Sequence, residues 1–341
     1  MKRKVTIYDI ACELNITAAT VSRALNNNPS ISESTKELVL KTAKSMNYEQ
    51  NKLALALKKG KSNNVGVIVP RIDSNFFSTV IRGIEEELNP QGYHVIICQT
   101  GGDELKEKEN IEALLNSQVD AVFVSTSSKD EKTFEAIANK DVPLIFFDRK
   151  KSMPNVSSVT IDDFKAGYKA TMHLIEQGYQ KIAHFSGDLN IEIFKQRFAG
   201  YKKALEEFGL EVNEQYHFTL KSSVEDGQRG VKKLLKLPEP PDAIFSSSDF
   251  AALGAIQELK AQKVAIPNDF GVVGFSNEPF TKFMELTIST IDQSPLLMGI
   301  NAAKVFLELI SQKEKEKEKV KIEKKVVLEP ELIIRNSSKR K

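Results

Sequence analysis

The 341 residues predict a small all-α head followed by a large α/β body, with parallel sheets covered by helices on both faces. Three observations carry that prediction. The first sixty residues hold three short stretches of helical apolar spacing, each behind a capping residue and separated by turn signals. From Val65 onward, short apolar runs alternate with amphipathic stretches, the rhythm of β-α-β units. Charge divides along the same boundary. The net charge of +2 hides +6 on residues 1–61, +5 on residues 313–341 and −9 on the residues between them. A basic head on an acidic body has a different electrostatic reach from a uniformly neutral protein.

In the head, Thr6 is placed to cap a helix whose apolar face is Ile7, Ile10, Ala11 and Leu14, stopping near Asn15. Thr17 caps a second, Ala18 to Leu25, with Val21, Ala24 and Leu25 inward. Asn26-Asn27-Asn28-Pro29 is a turn cluster, and Ser32 caps a third helix carrying Val39, Ala43 and Met46. Two short helices joined by a tight turn and followed by a third form a helix-turn-helix layout. Spacing alone does not separate it from a three-helix unit with no role on DNA. The outward positions of the second helix do more: Thr17, Ala18, Ala19, Thr20, Ser22, Arg23 and Asn26. Short side chains permit close approach in a major groove, hydroxyls suit phosphates, and one Arg suits a guanine edge.

Val5-Thr6-Ile7-Tyr8-Asp9-Ile10-Ala11, then Thr20-Val21-Ser22-Arg23-Ala24-Leu25-Asn26, then Asn47-Tyr48 and Asn51 resemble the head of the LacI/GalR transcription regulators in order and spacing. Leu53 to Lys58 is similar to that family's hinge helix. The resemblance implies that this segment pairs with its dimer mate in the minor groove, with Leu57 as the wedge and Ala54 beside it. An apolar wedge unstacks a base step at a cost of a few kcal/mol, offset by the contacts a bent duplex permits. Ordinary core packing is the alternative for Leu57. Ala18 and Ala19 depart from the larger polar readers frequent in the family, so operator sequence does not carry over from other members.

In the body, the apolar runs are Val65–Val69, His94–Cys98, Ala121–Val124, Leu144–Phe147, Lys181–Phe185, Ala243–Phe245 and Gly271–Phe275. Gly60-Lys61-Ser62 ends like a phosphate loop, but the position five residues earlier is Leu55, not Gly. No Gly-x-Gly-x-x-Gly follows the first strand, so no dinucleotide cofactor is expected. About 250 residues of this rhythm suffice for two lobes.

The resemblance continues through the body and implies the two-lobed core of periplasmic binding proteins, with three crossings near Ser158–Asp162, Ile288–Asp292 and Lys321–Lys325. It divides the chain into a head (1–50), a hinge and linker (51–63), a first lobe (64–160 with 292–321) and a second lobe (161–291 with 322–341). Val326–Ile334 reads as one final strand in the second lobe. Ligands of open α/β sheets bind beyond the carboxyl ends of the strands. The loop residues there are Arg71 and Asp73, Ser125, Asp148 and Arg149, Ser248 and Asp249, and Ser276. Phe76 and Phe77 are either core or a stacking surface for a ring, with Phe76 favoured for stacking. Arg197 matches the family's ligand-gripping arginine, and a planar guanidinium fork suits vicinal hydroxyls or a carboxylate. Ser276 stands where many sugar-binding members carry Asp. With Arg71, Arg149 and Arg197 expected in one cleft, this loss of negative charge predicts an acidic sugar or sugar phosphate as effector.

The expectation is a homodimer that binds palindromic operator DNA and answers to a small molecule, with no cofactor, no metal and no membrane. Met1-Lys2-Arg3-Lys4 is followed by no apolar core of a signal peptide, since Asp9 and Glu13 interrupt it, and no apolar run of ~18 residues exists to span a bilayer. Cys12 and Cys98 form no disulfide framework or metal cluster, so a cytoplasmic protein is expected. Two rivals remain: an α/β enzyme with a helical extension, for which no activated Ser, Cys–His pair or metal cluster is visible, and a transport-type binding protein, which has no use for a basic head. The Lys/Glu alternation at 313–319 reads as a solvated helix extension without assigned function.

Overall fold

The computed structural model describes residues 5–48, 61–128, 130–140, 142–315 and 323–340. The chain forms two units, Met1–Ser62 and Asn63–Lys341. The first contains α1 (Ile7–Glu13), α2 (Ala18–Leu25) and α3 (Glu33–Ser45). Caps fix each start. The amide and hydroxyl of Thr6 both donate to Asp9 Oδ2 at 2.7 Å. Thr17 Oγ1 accepts from the Thr20 amide at 3.2 Å, and Ser32 Oγ from the Thr35 amide at 3.3 Å. Such caps satisfy amides that have no partner within the helix and contribute about 1 kcal/mol each. Asn15, Asn27 and Asn47 follow the three helices with φ near +50°, a left-handed conformation that Asn tolerates. Ile10, Ala11, Val21, Ala24, Val39 and Ala43 then close a core of their own. The expected hinge residues Asn51, Ala54 and Leu57 lie outside the described residues.

The second unit begins with β1 (Asn64–Val69), α4 (Asn75–Leu88), β2 (His94–Gln99), α5 (Glu104–Asn116), β3 (Ala121–Val124), α6 (Glu135–Asn139), β4 (Leu144–Phe147) and β5 (Ser157–Ile161). A second run follows: α7 (Asp163–Glu176), β6 (Ile182–Ser186), α8 (Glu192–Glu207), β7 (His217–Thr219), α9 (Val224–Leu234), β8 (Ala243–Ser246), α10 (Asp249–Ala261), β9 (Gly271–Phe275) and β10 (Ser289–Asp292). The chain closes with α11 (Pro295–Lys315), β11 (Lys325–Leu328) and β12 (Glu331–Ile333).

The strands make two six-stranded sheets, ordered β11-β5-β4-β3-β1-β2 and β12-β10-β9-β8-β6-β7. Their neighbours are parallel except β10 and β12. Central strands β3, β4, β8 and β9 are buried along their whole length, as parallel strands under two helical layers must be.

Glycines set how closely the helices approach. A Cβ on Gly83 of α4 would overlap the Leu296 carbonyl oxygen, and one on Gly299 of α11 that of Val80. Gly167 of α7 and Gly200 of α8 make the same close pair, against the carbonyl oxygens of Arg197 and Phe164.

The chain passes between sheets after Ile161, after Asp292 and at Glu329-Pro330. The last differs from the expected Lys321–Lys325. Lys325–Leu328 pairs with Ser158–Ile161 at the edge of the first sheet, so that stretch does not belong to the second lobe. The single strand expected over Val326–Ile334 is two strands. Pro330 has no amide to continue a ladder, and only Glu331–Ile333 joins the second sheet, antiparallel to β10.

Candidate functional site

On α2, Thr17, Ala19, Arg23 and Asn26 are exposed, while Thr20 and Ser22 are half-buried. Ala18 is half-buried as well and packs partly against the head's core. Several hydroxyls and amides already serve their own helix. Thr17 Oγ1 and Thr20 Oγ1 lie 2.9 Å apart, and Asn26 Nδ2 donates to the Ser22 carbonyl at 2.7 Å. The Thr6 hydroxyl is engaged by Asp9. Arg23 is therefore the long exposed donor of this face. Tyr8, 71 % exposed on α1, is an aromatic donor that the sequence reading did not single out. The signal was present, since Tyr8 stands off the Ile7, Ile10, Ala11, Leu14 stripe.

In the body, each sheet reverses strand order beside its first strand, between β1 and β3 and between β6 and β8. Loops diverge there and leave a crevice. A cavity of about 170 Å³ lies at these carboxyl ends, enough to enclose a small ring compound. Arg71, Asp73, Phe76, Phe77, Asp148 and Arg149 line it from the first lobe, and Arg197, Ser248, Asp249 and Ser276 from the second. Ser125 is not on the wall. It is fully buried behind Asp148 and donates to its Oδ2 at 2.9 Å. Phe76 and Phe77 meet edge to face at 5.0 Å, and Phe77 continues into the core against Phe147. Phe194, Ser247, Glu278 and Gln293 also line it. Gln293 directly follows β10 and Ser247 directly follows β8, so the strand-end rule could have found both. Phe194 and Glu278 lie farther from any strand end.

Arg197 is 3 % exposed. Its Nε donates to Asp163 Oδ1 at 2.7 Å, its Nη2 reaches Gln293 Oε1 at 3.4 Å, and its guanidinium lies 3.5 Å over the Phe275 ring. Gln293 Nε2 in turn donates to Ser276 Oγ at 3.1 Å. Arg149 Nε stands 3.7 Å from Asp148 Oδ2. Arg71 grips Asp73 in a bidentate pair at 2.9 and 2.7 Å, at the exposed mouth. All three arginines line the one cavity, and each stands beside a carboxylate, a pairing that the expectation of an anionic ligand did not include. The sequence shows the arginines but not which acids fold against them.

Burial dominates the acids' titration. It pushes Asp163 up to about 6 despite Arg197, and Asp249 up to about 7. Asp148 and Glu278 are raised for the same reason. Asp249 is occupied by the protein: Oδ1 accepts from Thr290 Oγ1 at 2.7 Å and Oδ2 from the Glu278 amide at 2.8 Å. It positions the loop after β9. Two buried polar atoms of the wall, Arg149 Nε and Ser247 Oγ, have no hydrogen-bond partner among the described residues. Buried polar groups ordinarily do, so these two are available to a ligand. Asp148, Ser276, Asn277 and Ser294 have φ of +58°, +103°, +49° and +50°. Left-handed backbone at non-glycine residues costs of order 1–3 kcal/mol each and gathers at functional sites.

Among the described residues no group of His, Cys, Asp and Glu could hold a metal ion, and no helix is long and apolar enough to cross a membrane.

Residues 6–51 match the family model of bacterial regulatory proteins of the lacI family, and residues 62–330 that of periplasmic binding proteins and the sugar-binding domain of the LacI family. The HTH-type transcriptional repressor PurR of Haemophilus influenzae (strain PittEE) is 33 % identical over 337 residues, 98 % of either chain. PurR of Mannheimia succiniciproducens is 31 % identical over 336 residues, 98 % of this chain and 99 % of that one. The ribose-bound LacI family regulator of Enterococcus faecium is 28 % identical with a TM-score of 0.72, covering 81 % of this chain and 98 % of that one. The lac repressor dimer on its operator is 22 % identical with a TM-score of 0.85 over 98 % of this chain and 99 % of that one, a likeness of fold. With both halves matched and curated relatives aligned from end to end, the chain belongs to the LacI family, as a ligand-responsive, DNA-binding transcriptional regulator and not an enzyme.

Proposed function

We propose that the chain is a cytoplasmic repressor of carbohydrate-utilisation genes that binds a palindromic operator as a homodimer, and that a small neutral sugar in the interlobe cleft sets its affinity for DNA. The observation that carries the effector half is charge balance in the cleft. Arg71, Arg149 and Arg197 are each paired with a carboxylate, and Asp249 and Glu278 add further acid. An anion entering this cleft meets a carboxyl group beside each guanidinium. An uncharged ring meets aromatic walls at Phe76 and Phe194, and two unpaired polar atoms at Arg149 and Ser247. The regulator of Enterococcus faecium holds ribose, and the CelR regulator, 25 % identical with a TM-score of 0.72 over 98 % of this chain, holds cellobiose; both ligands are neutral. For the DNA half, the support is the capped α2 with its short exposed side chains and Arg23. A ligand that favours one lobe arrangement shifts DNA affinity by its differential affinity for the two states.

The test is calorimetric titration of the full chain, and of a form lacking residues 1–60, with neutral pentoses and hexoses beside uronates and sugar phosphates. A neutral sugar binds both forms, while only the full chain binds palindromic DNA. Tighter binding of an acidic sugar overturns the charge argument, and DNA binding retained without the head overturns its assignment.

A further inference from the structure

Glu107 is a carboxylate that the effector reading leaves unused. It sits on α5 with no exposure and shares the buried face of that helix with Ile111, Leu114 and Leu115. An acid on the apolar face of a helix costs stability unless its oxygens are well partnered. Both oxygens are engaged, and by one loop, the segment after β3. Thr126 Oγ1 donates to Glu107 Oε1 at 2.6 Å, and the Ser127 amide donates to Oε2 at 2.8 Å. Thr126 Oγ1 in turn accepts from the Ser128 amide at 3.0 Å, and Ser128 Oγ lies 2.9 Å from Thr133 Oγ1. Two converging donors call for two acceptor oxygens, which a carboxylate has and an amide side chain lacks. Burial raises the Glu107 pKa, and the bonds from Ser127 and Thr126 oppose that rise.

The loop so held is a wall of the cleft. Thr126, Ser127 and Ser128 line a second cavity of about 870 Å³, which shares Asp148, Arg149 and Ile193 with the first. The loop meets Arg149 through backbone and side chain. The Thr126 amide donates to the Arg149 carbonyl at 3.4 Å, and Arg149 Nη1 reaches Ser127 Oγ at 3.5 Å. Nε of the same guanidinium is the buried atom without a hydrogen-bond partner. A guanidinium is planar and turns as one body, so a contact that fixes Nη1 also fixes where Nε points. Ser125, next along the same segment, donates to Asp148, so this loop meets both members of the Asp148–Arg149 pair.

We propose that Glu107 is a positioning residue of the effector site: from α5 it pins the Thr126–Ser128 loop, and through Ser127 it sets the direction of the Arg149 guanidinium on the cavity wall. This rests on the reading of the cleft as the effector site, but concerns how its wall is held before any ligand arrives. Glu107 itself lines neither cavity, so it acts through the loop.

Nuclear magnetic resonance of the full chain carrying isotope-labelled arginine, without DNA or ligand, tests this on the wild type, Glu107→Met and Glu107→Gln. The Nε–Hε signal of Arg149, assigned by its disappearance in Arg149→Lys, reports the positioning. That of Arg197, bonded to Asp163, reports the fold at large. Methionine keeps the length and suits the apolar face but accepts from neither donor, while glutamine keeps one acceptor. In both variants the Arg149 signal should shift and its proton exchange faster with solvent. The Met variant should exchange about tenfold faster, the scale of one hydrogen bond to a charged group, and the Gln variant less, with Arg197 at its wild-type rate. A wild-type Arg149 signal and exchange rate in the Met variant overturns the proposal. Equal acceleration at Arg197 also overturns it, because Glu107 would then serve stability alone. If the Met variant does not fold, the Gln variant is judged by the same two signals. Neither signal involves a ligand, so failure here is distinct from failure of the effector assignment, which the titrations address.

Discussion

Replacing Arg197 by Met keeps the length of the side chain and removes its charge. The guanidinium is 3 % exposed, 2.7 Å from Asp163 Oδ1 and 3.5 Å over Phe275. Removing one member of a buried pair usually costs about 3–5 kcal/mol, because the other charge is left alone. Here Asp163 has an escape, since its folded pKa is already about 6. Taking up a proton at pH 8 costs at most about 3 kcal/mol, from two pH units at about 1.4 kcal/mol each, and costs nothing below pH 6. The sign follows from linkage. Asp163 is raised above its unfolded value, so the folded state binds the proton more tightly and charging it destabilises the fold as pH rises through about 6. Without Arg197 that destabilisation grows. The expected loss for Arg197→Met is about 4 kcal/mol at pH 8, up to about 3 from the proton and about 1 from the lost contact with Phe275, shrinking to about 1 kcal/mol at pH 5, where only the lost contact remains. Urea unfolding followed by circular dichroism suits a chain without tryptophan. Equal losses at the two pH values, or a variant as stable as the wild type at pH 8, would refute the reasoning.

Three further outcomes follow from the geometry. Arg23→Ala should weaken operator binding by about 1–3 kcal/mol and non-specific DNA binding much less; equal weakening in anisotropy titrations would make Arg23 a phosphate contact. Gly200→Ala places a methyl group on the Phe164 carbonyl and pushes α8 off α7, so it should cost about 1–3 kcal/mol and weaken effector binding through displacement of Arg197; an unchanged melting temperature would show that the crossing yields. His184 is fully buried among Phe245, Tyr201 and Phe198, and burial holds its pKa at about 3. A depressed folded pKa contributes stability that is lost as pH falls below the unfolded value of about 6.5. His184→Phe should therefore gain on the wild type by up to about 1.4 kcal/mol per pH unit below that value, and a stability difference flat from pH 7 to 5 would contradict it.

Much was legible in the sequence because it rests on local physics. Thr6, Thr17 and Ser32 cap the helices they precede, since a short hydroxyl followed by helical apolar spacing has few other solutions. The body's alternation of runs and amphipathic stretches specified two sheets of one winding. Loop residues at strand ends, from Arg71 to Ser276, surround one cavity for the same topological reason. Ser125 is an exception: it follows β3 yet turns behind Asp148.

Partnership was decided only in three dimensions. Asp163 belongs to Arg197 and Asp73 to Arg71. Sequence separation carries no information about such pairs. The last crossing moved from Lys321–Lys325 to Glu329-Pro330 because the edge of the first sheet had room for one more strand, which composition cannot report. Periodicity and capping act over a few residues, and the sequence determines them alone. Charge balance and strand ownership depend on what stands opposite after folding, so only the tertiary structure decides them.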